Sequence, residues 1–213
     1  MSVASALAVS STVSGALPVL AAWYNYRHLD KVLKIASAFF LVAFLIDLLL
    51  ELSKQMGISN NMPLIHLFIV INILFFGAIY YHAFFKPYVK KTVVVLAAVA
   101  LIIIIFNNIF IEGIWEYPSI SITVLSVLLI CFSLAYFYQL LNRQEFLHIE
   151  KQGLFWINSG VLLYFALDIF LFMLFKQMLN AHQEGYYVIH NSINIVANIL
   201  YSVGLLCKPQ KTT

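Results

Sequence analysis

Three ionisable side chains interrupt long apolar runs of the sequence, and they are the residues best suited to chemistry: Asp47, Asp168 and His190. Each is surrounded mainly by aliphatic and aromatic residues, so each is expected to be buried. A carboxylate or an imidazole in apolar surroundings needs a partner, a proton or a ligand, and such residues inside a membrane often mark functional sites. A carboxylate–histidine pair could also respond to pH.

Other polar residues in the apolar runs extend this group. On the last run, His190, Asn191, Asn194, Asn198 and Tyr201 fall within an arc of about 100° if the run is helical. A polar stripe on an apolar helix is expected to face other helices or a hydrated cavity. The complete predicted ligand-binding set is Asp47, Glu51, His66, Asn107, Asn108, Asp168, His190, Asn191 and Asn194.

The elements that must position these residues are membrane-spanning helices. The chain has 213 residues, of which 63% are hydrophobic and 10% charged, whereas ordinary soluble domains carry about 25% charged residues. We therefore predict an all-α polytopic membrane protein, with one domain over residues 1–213. Since about 20 helical residues cross a bilayer core, the spans are predicted at 3–23, 33–53, 63–85, 92–112, 118–141, 153–175 and 186–207.

The distribution of lysine and arginine predicts the orientation of these seven spans. Only Lys54 and Lys176 lie beyond the ends of the second and sixth segments, on one side of the membrane. The other basic residues lie on the opposite side: Arg27, Lys31, Lys34, Lys86, Lys90, Lys91, Arg143, Lys151, Lys208 and Lys211. The positive-inside rule places the N-terminus outside and the C-terminus in the cytoplasm. We expect a multi-pass protein of the bacterial inner membrane.

The first segment differs from a cleaved signal peptide, because basic residues follow it and none precedes it. We predict that it is a retained helix bent near Pro18. Cys131 and Cys207 both lie within apolar segments and are predicted to be free, buried thiols. The net charge of +3 comes from short clusters at helix ends and does not indicate binding to nucleic acid.

The predicted spans place polar residues from five helices at one level, in the outer third of the bundle. This favours a partly hydrated pocket that opens to the outside. Alternatively, the same residues only hold the helices together by hydrogen bonds, at about 0.6 kcal/mol per contact. Glu51, Glu112 and His66 lie near enough to the membrane surface to be merely solvated.

The missing motifs narrow the function classes. No lysine occurs in 186–207, which excludes a retinal-binding rhodopsin. The seven-helix zinc hydrolases have an HxxxH pair on the last helix. Here His190 is followed at that spacing by Asn194, so the second histidine ligand is missing. Asp47, His66, Asp168 and His190 are the remaining metal candidates, scattered over four helices. We expect no cofactor, although a lipid could occupy the pocket, and zinc is disfavoured.

The most distinctive runs are GLFWINSGVLLY (153–164) and IHNSINIVANILYSVGLL (189–206), together with LPVL (17–20) and YNYRHLD (24–30). With these runs the chain resembles a family of small bacterial seven-transmembrane proteins. It is also similar to the membrane-sensor halves of some bacterial sensor histidine kinases. The resemblance implies a seven-helix fold and a sensory role, and it implies no catalytic residue. The sequence ends at Thr213, where a kinase would begin, so we expect signalling through a separate partner in the membrane or cytoplasm.

Three functional hypotheses remain open from the sequence. The first is a non-enzymatic sensor or ligand-binding module in the membrane. The second is an accessory structural subunit of a larger membrane complex, in which the polar groups only hold the bundle together. The third is a metal-dependent membrane hydrolase, which would need at least three ligands around one ion.

Overall fold

The structure is a computed structural model that describes residues 3–58, 60–142, 149–180 and 185–207, with backbone alone at 3–5, 170, 172–180 and 186. Arg143, Lys208 and Lys211, which entered the orientation count, lie outside the described residues. The described ranges contain helices and no strand. The helices are α1 (Val3–Ser14), α2 (Ala16–Asn25), α3 (Lys31–Gln55), α4 (Met62–Ala83), α5 (Pro87–Phe110), α6 (Ser119–Leu141), α7 (Gly153–Asn180) and α8 (Gly185–Leu206), with short 3₁₀ turns at Tyr26–His28 and Ile149–Lys151.

Local sequence signals set several of the helix ends. Asp30 caps α3 by accepting a hydrogen bond from the Leu33 amide at 2.8 Å. At its other end, Gly57 has a φ of 74°, and the amides of Gly57 and Ile58 donate to the carbonyls of Lys54 and Ser53. This is a Schellman ending, in which glycine takes the left-handed conformation without steric cost.

Six helices are long and apolar enough to cross a membrane, among the residues that the structure describes. They are the stretch Ala6–His28, which includes α1 and α2, then α3, α4, α5, α6 and the Tyr187–Leu206 part of α8. The described apolar part of α7, Gly153–Ile169, is shorter. The chain is therefore an all-helical protein with at least six candidate spans.

The helices form a bundle in which the C-terminal helix α8 lies beside the N-terminal helices α1 and α2. α8 packs against α1, α2 and α7, while α3 packs against α2, α4 and α7. α6 lies against α4, α5 and α7. Aromatic side chains fill the interior: the rings of Phe39 and Phe76 are 4.7 Å apart, and those of Phe40 and Tyr201 are 4.6 Å apart.

The first predicted helix is interrupted at Gly15, three residues before Pro18. The proline ring crowds the carbonyl four residues earlier, which belongs to Ser14. The break therefore falls on the N-terminal side of the proline. Gly15 itself keeps helical dihedral angles, with φ −60° and ψ −22°.

Two further predictions need correction. The fourth segment was placed at 92–112, but α5 runs from Pro87 to Phe110; its first turns include Lys90 and Lys91, whose long side chains can reach the polar interface. The cysteines are free but not buried, since Cys131 is exposed and Cys207 is half-buried. Cys131 instead lies on an outer face of α6.

Candidate functional site

Asp168 on α7 and His190 on α8 form the most buried charged contact in the described part of the chain. Nδ1 of His190 lies 2.8 Å from Oδ2 of Asp168. The Asp168 side chain is 0% exposed, whereas that of His190 is 25% exposed. The second carboxylate oxygen of Asp168, Oδ1, is buried and has no hydrogen-bond partner among the described residues. A carboxylate in this position has unused capacity to accept a hydrogen bond.

Antiparallel packing of α7 and α8 produces this pair. Gly153 and Gly204 face each other so closely that a Cβ atom on Gly204 would lie 2.6 Å from the Gly153 carbonyl oxygen. Gly160 likewise faces the ring of Tyr201. Small residues let two helix backbones approach closely in membranes. This contact fixes the register that brings Asp168 opposite His190.

Asp47 on α3 lies near the same pair. His190 lies close enough to interact electrostatically with its carboxylate, and Asp47 is half-buried. A Cβ atom placed on Gly15 would be 3.9 Å from Oδ2 of Asp47, so this carboxylate lies beside the break between α1 and α2. No described residue donates a hydrogen bond to it. Three helices and the interruption in the first span thus meet around two carboxylates and one imidazole, which we call the acidic site.

The next turns of α8 form a polar seam with α1. Nδ2 of Asn194 donates to Oγ of Ser11 at 2.8 Å, and Nδ2 of Asn198 donates to Oγ of Ser14 at 2.9 Å. Asn198 is 7% exposed. These bonds satisfy the amide donors inside the bundle, so Asn194 and Asn198 serve helix packing here. Asn191 is half-buried, and its side chain makes no hydrogen bond within the described residues.

A second group of predicted residues lies in the connection between α5 and α6. Nδ2 of Asn107 donates to Oε2 of Glu112 at 2.7 Å and to Oγ of Ser121 at 3.0 Å. Oγ of Ser121 donates to Oδ1 of Asn108 at 3.3 Å. Oε1 of Glu112 accepts the Ile120 amide at 3.0 Å. These contacts hold the start of α6. Asn107 and Asn108 therefore belong to this connection and not to the acidic site.

His66 and Glu51 also have contacts of their own. Nε2 of His66 lies 3.1 Å from the Glu116 carbonyl oxygen, and His66 is 5% exposed. Glu51 forms an exposed ion pair with Lys54 at 3.3 Å. The expectation that His66 and Glu112 are merely solvated is therefore wrong, because the folded α5–α6 connection buries both. Of the nine predicted residues, the structure brings together Asp47, Asp168 and His190.

Sequence reasoning missed a buried hydrogen-bond network between α4, α6 and α7. The Tyr80 hydroxyl donates to Oδ1 of Asn158 at 2.6 Å and contacts Oγ of Ser133 at 2.8 Å. Tyr80 is 1% exposed. Tyrosine is common both in apolar cores and at membrane surfaces, so its position carries little signal. Asn158 was the residue that could have indicated this network, since an amide side chain in an apolar segment requires hydrogen-bond partners.

The described residues contain no group of three or more His, Cys, Asp or Glu side chains arranged to hold a metal ion. Asp47, Asp168 and His190 are neighbours, but they do not converge as ligands of one ion, and His66 contacts a different part of the chain.

The fold and these contacts define an α-helical, multi-pass membrane protein with a group of ionisable side chains between its helices. No family model, curated protein or solved structure matches the chain.

Proposed function

We propose that the chain is a non-enzymatic membrane sensor or ligand-binding module with seven spans, an external N-terminus and a cytoplasmic C-terminus. The seventh span is α7, whose 28 residues exceed the length needed to cross a bilayer core. The distribution of basic residues supports the orientation. In this arrangement the acidic site lies in the outer half of the bundle, where a small molecule could enter from outside.

The observation that carries this proposal is the unpartnered Oδ1 of Asp168. A fully buried carboxylate oxygen without a donor is costly, so a site that retains one needs a compensating ligand or proton. Asp47 adds a second carboxylate, and the only described imidazole nearby is already paired with Asp168. The group is complementary to a positive charge. The ligand is therefore a small protonated amine that donates a hydrogen bond to Oδ1 of Asp168.

The same contacts offer a route from the acidic site to the cytoplasmic end. A ligand between α3, α7 and α8 would alter the position of α8 relative to α1, where the polar seam joins them. At the far end of α8, Nδ2 of Asn25 donates to the carbonyl oxygens of Leu205 at 2.8 Å and Cys207 at 3.2 Å. A shift of α8 therefore reaches the C-terminal end, where a separate partner protein would read it.

An accessory structural subunit is the second candidate, and the Asn194–Ser11 and Asn198–Ser14 bonds favour it. These bonds use polar groups only to join helices. The two functions differ at Asp168, because a purely structural bundle has no use for a buried carboxylate oxygen without a donor.

The test compares small molecules that remain bound to protein extracted directly from its membrane in polymer-bounded lipid particles. Native mass spectrometry should detect an amine bound to the wild type and to Asn107→Ala, a control in the other polar group. Asp168→Asn should lose it, because the substitution removes the negative charge while keeping the shape. A wild-type protein without bound amine, or an Asp168→Asn variant that retains it, would contradict the proposal.

A further inference from the structure

Basic side chains from three helices converge at the end of the bundle where α3 and α5 begin and α4 ends. α4 packs between α3 and α5, so its last turn, with His82, lies beside Lys31 at the start of α3 and Lys90 near the start of α5. Lys90 also contacts the ring of Tyr81, the residue that precedes His82 in this turn. We call Lys31, His82, Lys86 and Lys90 the basic patch.

No carboxylate forms an ion pair with a lysine of this patch in the part of the chain that the structure describes. The described ion pairs are Lys54–Glu51 and His190–Asp168, and neither includes a lysine of the patch. The nearest acidic residue in sequence, Asp30, accepts the Leu33 amide as a helix cap and leaves the positive charges of the patch in excess. Like charges held together without a counter-charge are unfavourable. An anion bound between them would relieve this repulsion.

Tyrosine rings accompany the lysines at this end. Nζ of Lys90 lies 5.6 Å from the centre of the Tyr81 ring, and Nζ of Lys86 lies 5.8 Å from that of Tyr88. Tyr81 and Tyr88 are 40% and 65% exposed. Lysine and tyrosine together at the end of a spanning helix are typical of the lipid headgroup region. The patch thus lies at the depth where lipid phosphates are found.

The last turn of α4 is held in place by a side chain of α6. Nε2 of Gln139 donates to the Ala83 carbonyl oxygen at 3.2 Å, and Oε1 of Gln139 accepts the Phe85 amide at 3.0 Å. The side chain of Gln139 on α6 therefore caps the end of α4. This contact fixes the end of α4 beside the lysines of the patch.

We propose that the basic patch binds the headgroup of an anionic phospholipid. Lys31 and Lys90 would contact the phosphate from either side of α4, while the exposed rings of Tyr81 and Tyr88 lie against the upper part of the acyl chains. Phe85, 58% exposed between α4 and α5, extends the apolar surface beside the patch. A lipid is favoured over a soluble anion because charged and exposed aromatic groups alternate here. The proposal shares no residue with the acidic site.

The test counts the lipids that remain bound after the protein is reconstituted in bilayer discs of equal parts phosphatidylcholine and phosphatidylglycerol. Native mass spectrometry should find phosphatidylglycerol enriched on the wild type. Lys31→Gln with Lys90→Gln should reduce this enrichment by about fivefold per lysine. Lys54→Gln, at the other end of α3, should behave as the wild type. Lys31→Arg with Lys90→Arg should retain the enrichment, because the charge is kept.

Salt provides a second readout that requires no variant. Because charges at the membrane surface are screened, raising sodium chloride from about 0.05 M to about 0.5 M should lower the enrichment on the wild type. An enrichment that is insensitive to salt, or equal in the wild type and the Lys31→Gln, Lys90→Gln variant, would overturn the proposal. So would a wild-type protein that shows no preference for phosphatidylglycerol over phosphatidylcholine.

Discussion

At the residue scale, Asp168 differs from Asn198 and Tyr80 in how its hydrogen-bonding capacity is used. Asn198 donates to Ser14, and Tyr80 contacts both Ser133 and Asn158. Asp168 uses one oxygen for His190 and leaves the other without a described donor. The first two residues are explained by packing, whereas Asp168 is not.

Removal of the His190 imidazole tests how much the Asp168–His190 pair contributes to the free energy of unfolding. We expect His190→Ala to lower the free energy of unfolding by about 1–3 kcal/mol, because it leaves the buried Asp168 carboxylate without a donor. Asn191→Ala, the adjacent position on the same helix, should have almost no effect. Equilibrium unfolding in mixed detergent micelles provides the measurement.

A double-mutant cycle makes this prediction specific. In an Asp168→Ala background, His190→Ala should lose most of its effect, because the two substitutions remove one shared contact. Equal losses for His190→Ala and Asn191→Ala, or strictly additive effects of His190→Ala and Asp168→Ala, would show that the pair contributes nothing.

At the scale of elements, the α7–α8 contact depends on glycines that allow the two backbones to approach. A Cβ atom on Gly204 would lie 2.6 Å from a backbone oxygen and 2.8 Å from Cγ1 of Ile157. We expect Gly204→Ala to destabilise the protein by about 1–3 kcal/mol, because the helices must move apart. Thermal unfolding in detergent is the measurement.

Gly77 offers the matched control for that substitution. It lies within α4, where an added Cβ atom would be 3.6 Å from the Cβ atom of Ala97, an ordinary contact. Gly77→Ala should be neutral or stabilising by up to about 1 kcal/mol, since alanine favours the helix. If both alanine variants unfold at the same temperature, close packing of α7 on α8 is not a source of stability.

The polar seam between α1 and α8 should contribute less to the free energy of unfolding than the α7–α8 contact. Asn198→Ala removes one interhelical hydrogen bond, so we expect a loss of about 0.6 kcal/mol. Ser14→Ala should cost a similar amount, and the double variant should cost little more than either single one. A loss of several kcal/mol in the unfolding titration would mean that Asn198 does more than join two helices.

At the scale of the whole molecule, the orientation and the number of spans can be tested by cysteine labelling. In a Cys131→Ser, Cys207→Ser background, we expect a membrane-impermeant maleimide to label Ile58→Cys in intact cells. Lys151→Cys and Lys208→Cys should react only after permeabilisation, because the positive-inside rule places both in the cytoplasm. Labelling of Lys208→Cys in intact cells together with Ile58→Cys would show that α7 does not cross the membrane.

The sequence predicted the helices well because a membrane interior permits few backbone structures other than helices. Apolar length alone therefore located α3, α4, α6 and α8 to within about two residues, the usual uncertainty of helix ends. The grouping of Asp47, Asp168 and His190 was predictable for a related reason, since isolated charges in hydrocarbon require partners.

The partners of the other polar residues could not be predicted in the same way. His66 contacts the carbonyl of Glu116, and Asn107 contacts Glu112. Both contacts depend on how the α5–α6 connection folds, and that connection has no hydrophobic periodicity from which to place it. Ser11 and Ser14 were also missed, because serine is small enough to occur in an apolar helix without signalling a partner.

The most direct test of the acidic site is a cryo-electron microscopy structure of the protein in particles of native lipid. The account predicts density for a non-protein group within hydrogen-bonding distance of Oδ1 of Asp168, flanked by Asp47 and His190, and its disappearance in Asp168→Asn. Density that shows Oδ1 of Asp168 contacting only protein atoms, or Asp47 turned toward lipid, would contradict a shared ligand site.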